Sequence, residues 1–514
     1  MCINNKYLFL LFAAAISITS CDKNFLDRDP LKDPSSATFW TSEADLKAGQ
    51  AGVYGRLQAD FFGYQRVYLD GLSDNAYADP TNSFLPNISL LTTGGINSSL
   101  GNSSPLGLMY STPYRIIAAC NYFLDNVDKA PVSDASKNVY KGEMRFIRAL
   151  AYFDLVQSFG GVIIYEHFPT TIEGAKIAKS TKEQVYAFIE QDLDFAINHL
   201  PPTKYNGRAV KASAQALKGR VLIAEKKWSE AIPFLQAVIS SGLYGLSPDY
   251  AAIFKTLGQA NANINKEILF STQYLAPNNV QRNLNGMDLE LGNYALMQPY
   301  KDLADDYEMK DGKFANESNL YNPANPYANR DPRLDLTMKL PGEIWRNPSG
   351  VAFTPANATN TGFMMEKYVD LSRAPFAPST TSTQTDQDYI HLRYADVLLM
   401  YAEAKNEVSG PDASIYNALN EVRARVSMPA VDQLKYNTQA LLRDYIRHER
   451  RIELALEGHR YNDLKRWNIA HIKLPNLKTP AGTPLVFEER YYTLPFLQYE
   501  LDNNPQLEQN PDYK

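Results

Sequence analysis

The chain has 514 residues, more than one ordinary domain, and its 45% apolar content suffices for a sizeable core. A net charge of −6 with 21% charged residues excludes nucleic acid as the main partner, because phosphate binding needs a basic face. Tyrosine is abundant, at 33 residues, and much of it lies in polar Asn- and Pro-rich segments; most of these rings read as amphipathic core edge, the rest as surface suited to stacking.

The N-terminus, "MCINNKYLFLLFAAAISITSC", carries one Lys and then a run of apolar or small residues from Tyr7 to Ile18. It is shorter than the roughly 20 residues of a spanning helix and has the layout of an export signal. "ITSC" reads as a relaxed lipobox, so residues 1–20 are expected to be removed and Cys21 to carry lipid, with 21–40 as a tether. No later segment is apolar for long enough to cross a membrane. Of the other cysteines, Cys2 precedes the run and Cys120 sits in a helical pattern as a small buried residue.

From residue 41 to 514 a single domain is expected. Thr41-Ser42-Glu43 caps a helix running to about Leu57, and 60–107 reads as loop, rich in Gly, Asn, Ser and Pro. Helical periodicity returns at 108–128 and continues through "GEMRFIRALAYFDLVQSFG" and "STKEQVYAFIEQDLDFAINHL", the last capped by Ser180 or Thr181. In "AQALKGRVLIAEKKWSEAIPFLQAVISSG" two helices meet at Lys227-Trp228-Ser229. Gly219, Ala231 and Leu235 stand where a tetratricopeptide unit needs two small residues and one large apolar one. Residues 260–387 form an insertion without sustained helical period, full of Asn, Pro, Gly and Tyr. A second helix pair follows in 389–429, with Ala402 and Ala404 at the contact, and 437–458 begins a third. The fold class is therefore mostly α, a helical-repeat scaffold with an N-terminal part 41–210, a repeat 211–245, the insertion 260–387 and a C-terminal part 388–514.

"RHERRIELALEGHRYNDLKRW" aligns Glu449, Glu453 and Glu457 at four-residue spacing. Like charges so placed cost about 0.2–0.5 kcal/mol per pair in an isolated helix, so a half-buried row needs cations. Arg447, Arg450, Arg451 and Arg460 are at hand, with Arg423 and Arg425 on the preceding helix. A dinuclear metal bundle wants His three residues after a ligating Glu, but Ile452, Leu456 and Arg460 stand there. The row reads as structural ion pairs, with no metal. Six scattered His, no HExxH, no GxSxG and no Gly-rich phosphate loop argue against catalysis. Loop acids at Asp70/Asp74 and Asp302/Asp305/Asp306/Glu308 fit a glycosidase pair, calcium ligands, sugar-hydroxyl acceptors or solvated charge, the last being the simplest.

Taken together, Cys21 followed by "FLDRDP", "FWTSEADLKAGQAGVYG", "GEMRFIRALAYFDLVQSFGGVII", "LRYADVLLMYAEAKNEV", "LNEVRARV" and "RHERRIELALEGHRYNDLKRW" resemble the SusD/RagB family of Bacteroidetes nutrient-binding lipoproteins over nearly the whole chain. The resemblance implies about four tetratricopeptide-like helix pairs, with large irregular loops forming the ligand face. It implies lipid anchoring in the outer membrane with exposure at the cell surface, and a SusC-like TonB-dependent transporter as partner. The ligand it implies is an oligosaccharide, or in some relatives a peptide, that is passed on with no bond broken. No cofactor is implied, and a structural or ligand-assisting calcium is the one ion left open. Family members often bind through aromatic side chains with Asp, Asn and Arg from two loop regions, here about 60–90 and 270–380. The candidates matching that chemistry are Asp74, Asn75 and Tyr77, then Tyr294, then Trp345 with Arg346, and Trp345 leads them. Trp40, Trp228 and Trp467 read as core.

Overall fold

The structure is a computed structural model describing residues 39–80, 87–281, 286–376 and 385–514. The signal 1–20, the lipid site Cys21 and most of the tether 21–40 lie outside the described residues.

Helix α1 (Glu43–Arg56) starts where Ser42 Oγ accepts the amide of Asp45 at 3.2 Å. It seats on α2 (Pro105–Asn126) through Trp40, whose ring meets Phe123 edge-on at 5.2 Å. Gly49 permits that approach, since a Cβ there would lie 2.8 Å from the Trp40 ring. Next come α3 (Asp134–Phe159) and α4 (Lys182–His199), the latter opened by a Thr181–Gln184 capping box. Across their contact Arg148 donates to Asp192 at 2.7 and 2.8 Å, and Cys120 is buried in the apolar packing nearby.

Helices α5 (Lys211–Ala224) and α6 (Trp228–Ser240) form the unit read from the sequence. A Cβ at Gly219 would fall 2.5 Å from Leu235 Cδ2, so this glycine sets how closely the pair approaches. Helix α7 (Tyr394–Ser409) packs on α6 and against α8 (Ala413–Ala424) and α9 (Gln439–Glu453), with Ala402 and Ala404 fully buried at the contact. A short α10 (Arg460–Arg466) follows. Each of α1 to α7 packs on the next, which makes a continuous helical array, and Trp40 and Trp467 are buried in it while Trp228 is half-buried. Among the described residues no helix is long and apolar enough to cross a membrane.

Two segments differ from the sequence expectation. Residues 61–76 are not a surface loop; they wind in 3-10 turns, and every one is buried. The insertion is laid down by short antiparallel pairs: β1 (Ala76–Ala78) with β3 (Met297–Pro299), β2 (Ile268–Thr272) with β8 (Tyr389–Arg393), β4 (Met338–Lys339) with β7 (Met364–Met365), and β5 (Trp345–Arg346) with β6 (Ala352–Phe353). So 389–393, expected to begin a helix, is a strand. Both β2 and β8 are buried at every position, and β8, only five residues long, runs directly into the helix that starts at Tyr394, so its short stretch is absorbed into the helical pattern.

Candidate functional site

The glutamate row lies at the centre of the molecule. Glu449, Glu453 and Glu457 are all fully buried. Glu449 accepts from Arg333 at 2.6 Å and Arg423 at 2.9 Å. Glu453 accepts from Arg393 and Arg425, each at 2.6 Å, and from Arg333 at 3.0 Å. Glu457 accepts from Arg393 at 2.7 Å and from the buried Lys367 at 2.9 Å. Burial pushes the Glu453 carboxyl up, but Arg425, Arg393 and Arg333 outweigh it and hold the group well below the ordinary carboxylate range. Both oxygens of each carboxylate are engaged by protein donors, which leaves none for a substrate. The row is structural, as its spacing suggested.

Its partners differ from the nearest arginines, however. Residues one or two apart on a helix leave on different faces, so Arg450 and Arg451 turn away from Glu449. Arg450 reaches Asp463 at 2.8 Å and also pairs with Asp396. Arg451 donates to Asp302 at 2.8 Å and Asp306 at 3.0 Å. Arg460 forks onto Asp74 at 2.7 and 2.8 Å. The row is neutralised instead by Arg333 and Lys367 from the insertion, Arg393 from β8, and Arg423 and Arg425 at the end of α8. Arg333, Lys367 and Arg393 carried no sequence signal, because nothing in one dimension shows which distant cation a carboxylate meets.

This network overturns two expected ligand contacts. Asp74 and Asn75 are buried, at 2% and 1% exposure, and Arg451 Nε donates to Asn75 Oδ1 at 3.1 Å. Both are bracing between the N-terminal part and the C-terminal motif. Solvated charge describes the exposed Asp302 and Asp305 but not the other loop acids. Asp70 and Glu308 are buried, the latter paired to Arg423 at 2.8 Å, and Asp305 pairs with Lys301. Among the described residues no group of three or more His, Cys, Asp or Glu is placed to hold a metal ion.

Trp345, the leading aromatic candidate, is also turned inward. It is 2% exposed, its Nε1–H donates to Met364 Sδ at 3.1 Å, and Phe353 packs on it from β6 at 6.0 Å. The ring fills the space between the two hairpins rather than offering a plane to a ligand. Arg346, one residue on, is exposed, with Nη1 on the Gly350 carbonyl at 2.9 Å.

Tyr77 and Tyr294 are both half-buried, and the 356–361 segment meets the chain beside each of them. In β1 the buried Ala76 and Ala78 flank Tyr77, so strand alternation turns its ring outward opposite Gln298 of β3. Asp79, two residues on, shares that direction and receives Asn360 Nδ2 at 3.1 Å and Gln298 Nε2 at 3.3 Å. Burial first, and then the Asp79 charge, raise the Tyr77 phenol above its usual pKa. Gln298 Oε1 accepts the amide of Asn360 at 2.7 Å, and Asn357 Nδ2 donates to the Tyr294 carbonyl at 3.1 Å. Residues 356–361 are thus strapped along β3, which builds a surface of phenol rings, amides and the Asp79 carboxylate. Asn357 and Asn360 were missed, the Asn-rich run "NPSGVAFTPANATNTG" being their only trace, while Gln298 is fully buried and serves as the peg that holds this segment. The face offers donors and acceptors to a polar molecule, with no paired acid and nucleophile.

A family model described as "SusD family" matches residues 266–513, and one described as "Starch-binding associating with outer membrane" matches residues 24–223. The chain belongs to the SusD/RagB family. Among curated SusD relatives, "SusD-like protein P25" of Formosa agariphila is 27% identical over 98% of this chain and 96% of its own length. "Starch-binding protein SusD" of Bacteroides thetaiotaomicron is 24% identical over 99% of this chain and 100% of its own. A solved "SusD-like carbohydrate binding protein" from Bacteroides fragilis superposes with a TM-score of 0.78 at 28% identity, covering 92% of this chain and all of that one. The mostly helical, tetratricopeptide-like fold is that of SusD proteins.

Proposed function

We propose that this protein binds an oligosaccharide at the β1–β3 face and delivers it, without cleaving it, to a TonB-dependent outer-membrane transporter. The observation that carries the reading is the face itself in a SusD chain: half-buried Tyr77 and Tyr294 beside Asp79, Asn357 and Asn360. A sugar ring presents CH groups to an aromatic plane and hydroxyls to amides and carboxylates at its edge. Names among the relatives point the same way, toward starch in one case and carbohydrate in another. On this reading lipid at Cys21 anchors the protein in the outer membrane at the cell surface, and its role is capture, not catalysis.

Calorimetry with soluble starch, laminarin and other polysaccharides tests the binding, alongside an assay for new reducing ends. Binding without new ends supports the proposal, and release of reducing ends sinks it. Detergent extraction of outer membranes with the tagged protein tests the partner: a TonB-dependent transporter is expected to co-purify.

A further inference from the structure

A concavity opens between the N-terminal helices and the C-terminal segment, and no residue of β1, β3 or the insertion lines it. Its volume is about 620 Å³, within the range of ligand sites, about 300–1,000 Å³. One wall is α2, with Tyr110, Tyr114 and Ala118. The others are the 163–176 segment, with Tyr165, and the short helix Gln498–Asn503, with Tyr499 and Glu500.

The walls are braced by the fold. Tyr114 Oη donates to the Ile163 carbonyl at 2.9 Å, and Tyr165 Oη donates to the Ala175 carbonyl at 2.7 Å. Asn504 and Gln506 donate to the Ile177 and Lys176 carbonyls at 2.8 and 2.7 Å, which ties the C-terminal segment to the same rim. The tyrosine rings meet edge-on, Tyr110 to Tyr114 at 5.0 Å and Tyr114 to Tyr165 at 5.8 Å. Tyr499 stands at the mouth, 58% exposed.

Glu500 is what makes this more than an apolar dent. It is half-buried beside the Tyr110 and Tyr165 phenols, and none of the ion pairs among the described residues includes it. Burial raises its carboxyl pKa. A carboxylate so placed favours a ligand that donates hydrogen bonds and repels an anion. Arg115 and Lys176 line the same concavity, so a cationic ligand gains little. A neutral ring with apolar CH faces and donor hydroxyls satisfies the aromatic walls and the acid together.

We propose that this groove is a second carbohydrate subsite, separate from the β1–β3 face, taking one or two neutral sugar rings against the tyrosines with hydroxyls on Glu500. The choice of ligand rests on the reading of the protein as a sugar binder.

The test soaks crystals of the protein in trisaccharides of glucose, galactose, mannose and xylose, with calorimetry on the same probes. Ala118→Trp plugs the groove from α2, and Glu500→Gln keeps the shape while removing the charge; circular dichroism and Tm confirm that both fold. Sugar density against Tyr165 and Glu500 is expected. Two calorimetric sites should fall to one in Ala118→Trp, and the groove's affinity should fall about tenfold in Glu500→Gln, the loss of one charge-assisted hydrogen bond. Sugar at the β1–β3 face with an empty groove overturns this inference and leaves the proposed function standing. Sugar in the groove alone keeps the inference and overturns the placement at β1–β3, and no sugar at either overturns both.

Discussion

The Arg460 guanidinium places two nitrogens on the two oxygens of Asp74, at 2.7 and 2.8 Å, joining residues 386 positions apart. Both side chains are buried, and the Asp74 carboxylate also lies 3.4 Å from Arg451. Removing one partner from a buried pair leaves the other uncompensated, at a cost of about 3–5 kcal/mol. Asp74→Ala should therefore lower the unfolding free energy from urea titration by that amount, without altering sugar affinity in the fraction that stays folded. Equal stability with weaker binding would restore Asp74 to the ligand site.

Acid should unfold the protein through the same network. Burial raises the carboxyls of Glu453, Glu457 and Asp74, and the surrounding cations more than reverse the effect, so all three are lowered in the folded state. The unfolded chain then binds more protons, and stability is lost as pH falls below the usual 4.5 for Glu and 3.8 for Asp. Chemical denaturation at pH 3, 4, 5 and 6 should show a steep decline below about pH 4.5, shallower in Glu453→Gln once its lower starting stability is subtracted.

Asp70 has the opposite sign. Burial pushes it up to about 7, against the help of the Gly458 amide at 3.0 Å. The folded state holds its proton more tightly than the unfolded chain, so this contribution is full below about pH 4 and lost as pH rises to about 7. Asp70→Asn should flatten the stability profile between those limits. An unchanged slope there would place the titration elsewhere.

Two aromatic substitutions should separate scaffold from site. Trp345→Ala empties a buried space and should cost about 3 kcal/mol or more in stability while leaving sugar affinity intact. Tyr77→Ala, at an outward-facing position, should do the reverse and weaken binding by tenfold or more, about 1.4 kcal/mol, with a small change in Tm. The reverse pattern would put the ligand at the β5–β6 hairpin.

Gly219→Ala sets two effects against each other. Alanine favours the helix by about 1 kcal/mol over glycine. Its Cβ, however, would stand 2.5 Å from Cδ2 and 2.7 Å from Cγ of the fully buried Leu235. Overpacking of that kind costs about 1–3 kcal/mol and should win, lowering Tm by a few degrees.

The helices were legible because each carries its own evidence: a cap at Ser42 or Thr181, a 3.6-residue apolar period, a glycine at 219 facing a leucine. The glutamate row was legible as structure because Ile452, Leu456 and Arg460 stand where metal-ligating His would be and arginines are at hand to neutralise it. Of its partners, Arg423 and Arg425 on the preceding helix were visible, but Arg333, Lys367 and Arg393 were not, since they lie 60 to 120 residues away in sequence and look like any other cations. The face at Tyr77 was half visible: the phenol in "NAYADP" fitted a sugar contact, whereas Asp74 and Asn75 beside it fitted equally well and proved buried. Burial is a property of the finished fold, and a polar loop motif does not disclose which members turn inward. Trp345 misled for the same reason, since a strand of two residues has no alternation from which to read a facing direction.

The position of the glutamate row also orders assembly. A chain ending before residue 449 still offers Asp331 to Arg333, Glu308 to Arg423 and Glu267 to Arg393 and Arg425, but it lacks the row's three carboxylates, so positive charge outnumbers negative at the centre and Lys367 has lost its acid. The insertion and the end of α8 are therefore only partly neutralised until the C-terminal motif arrives. The motif acts as a late latch, completing the charge balance of the body only when nearly the whole polypeptide is present.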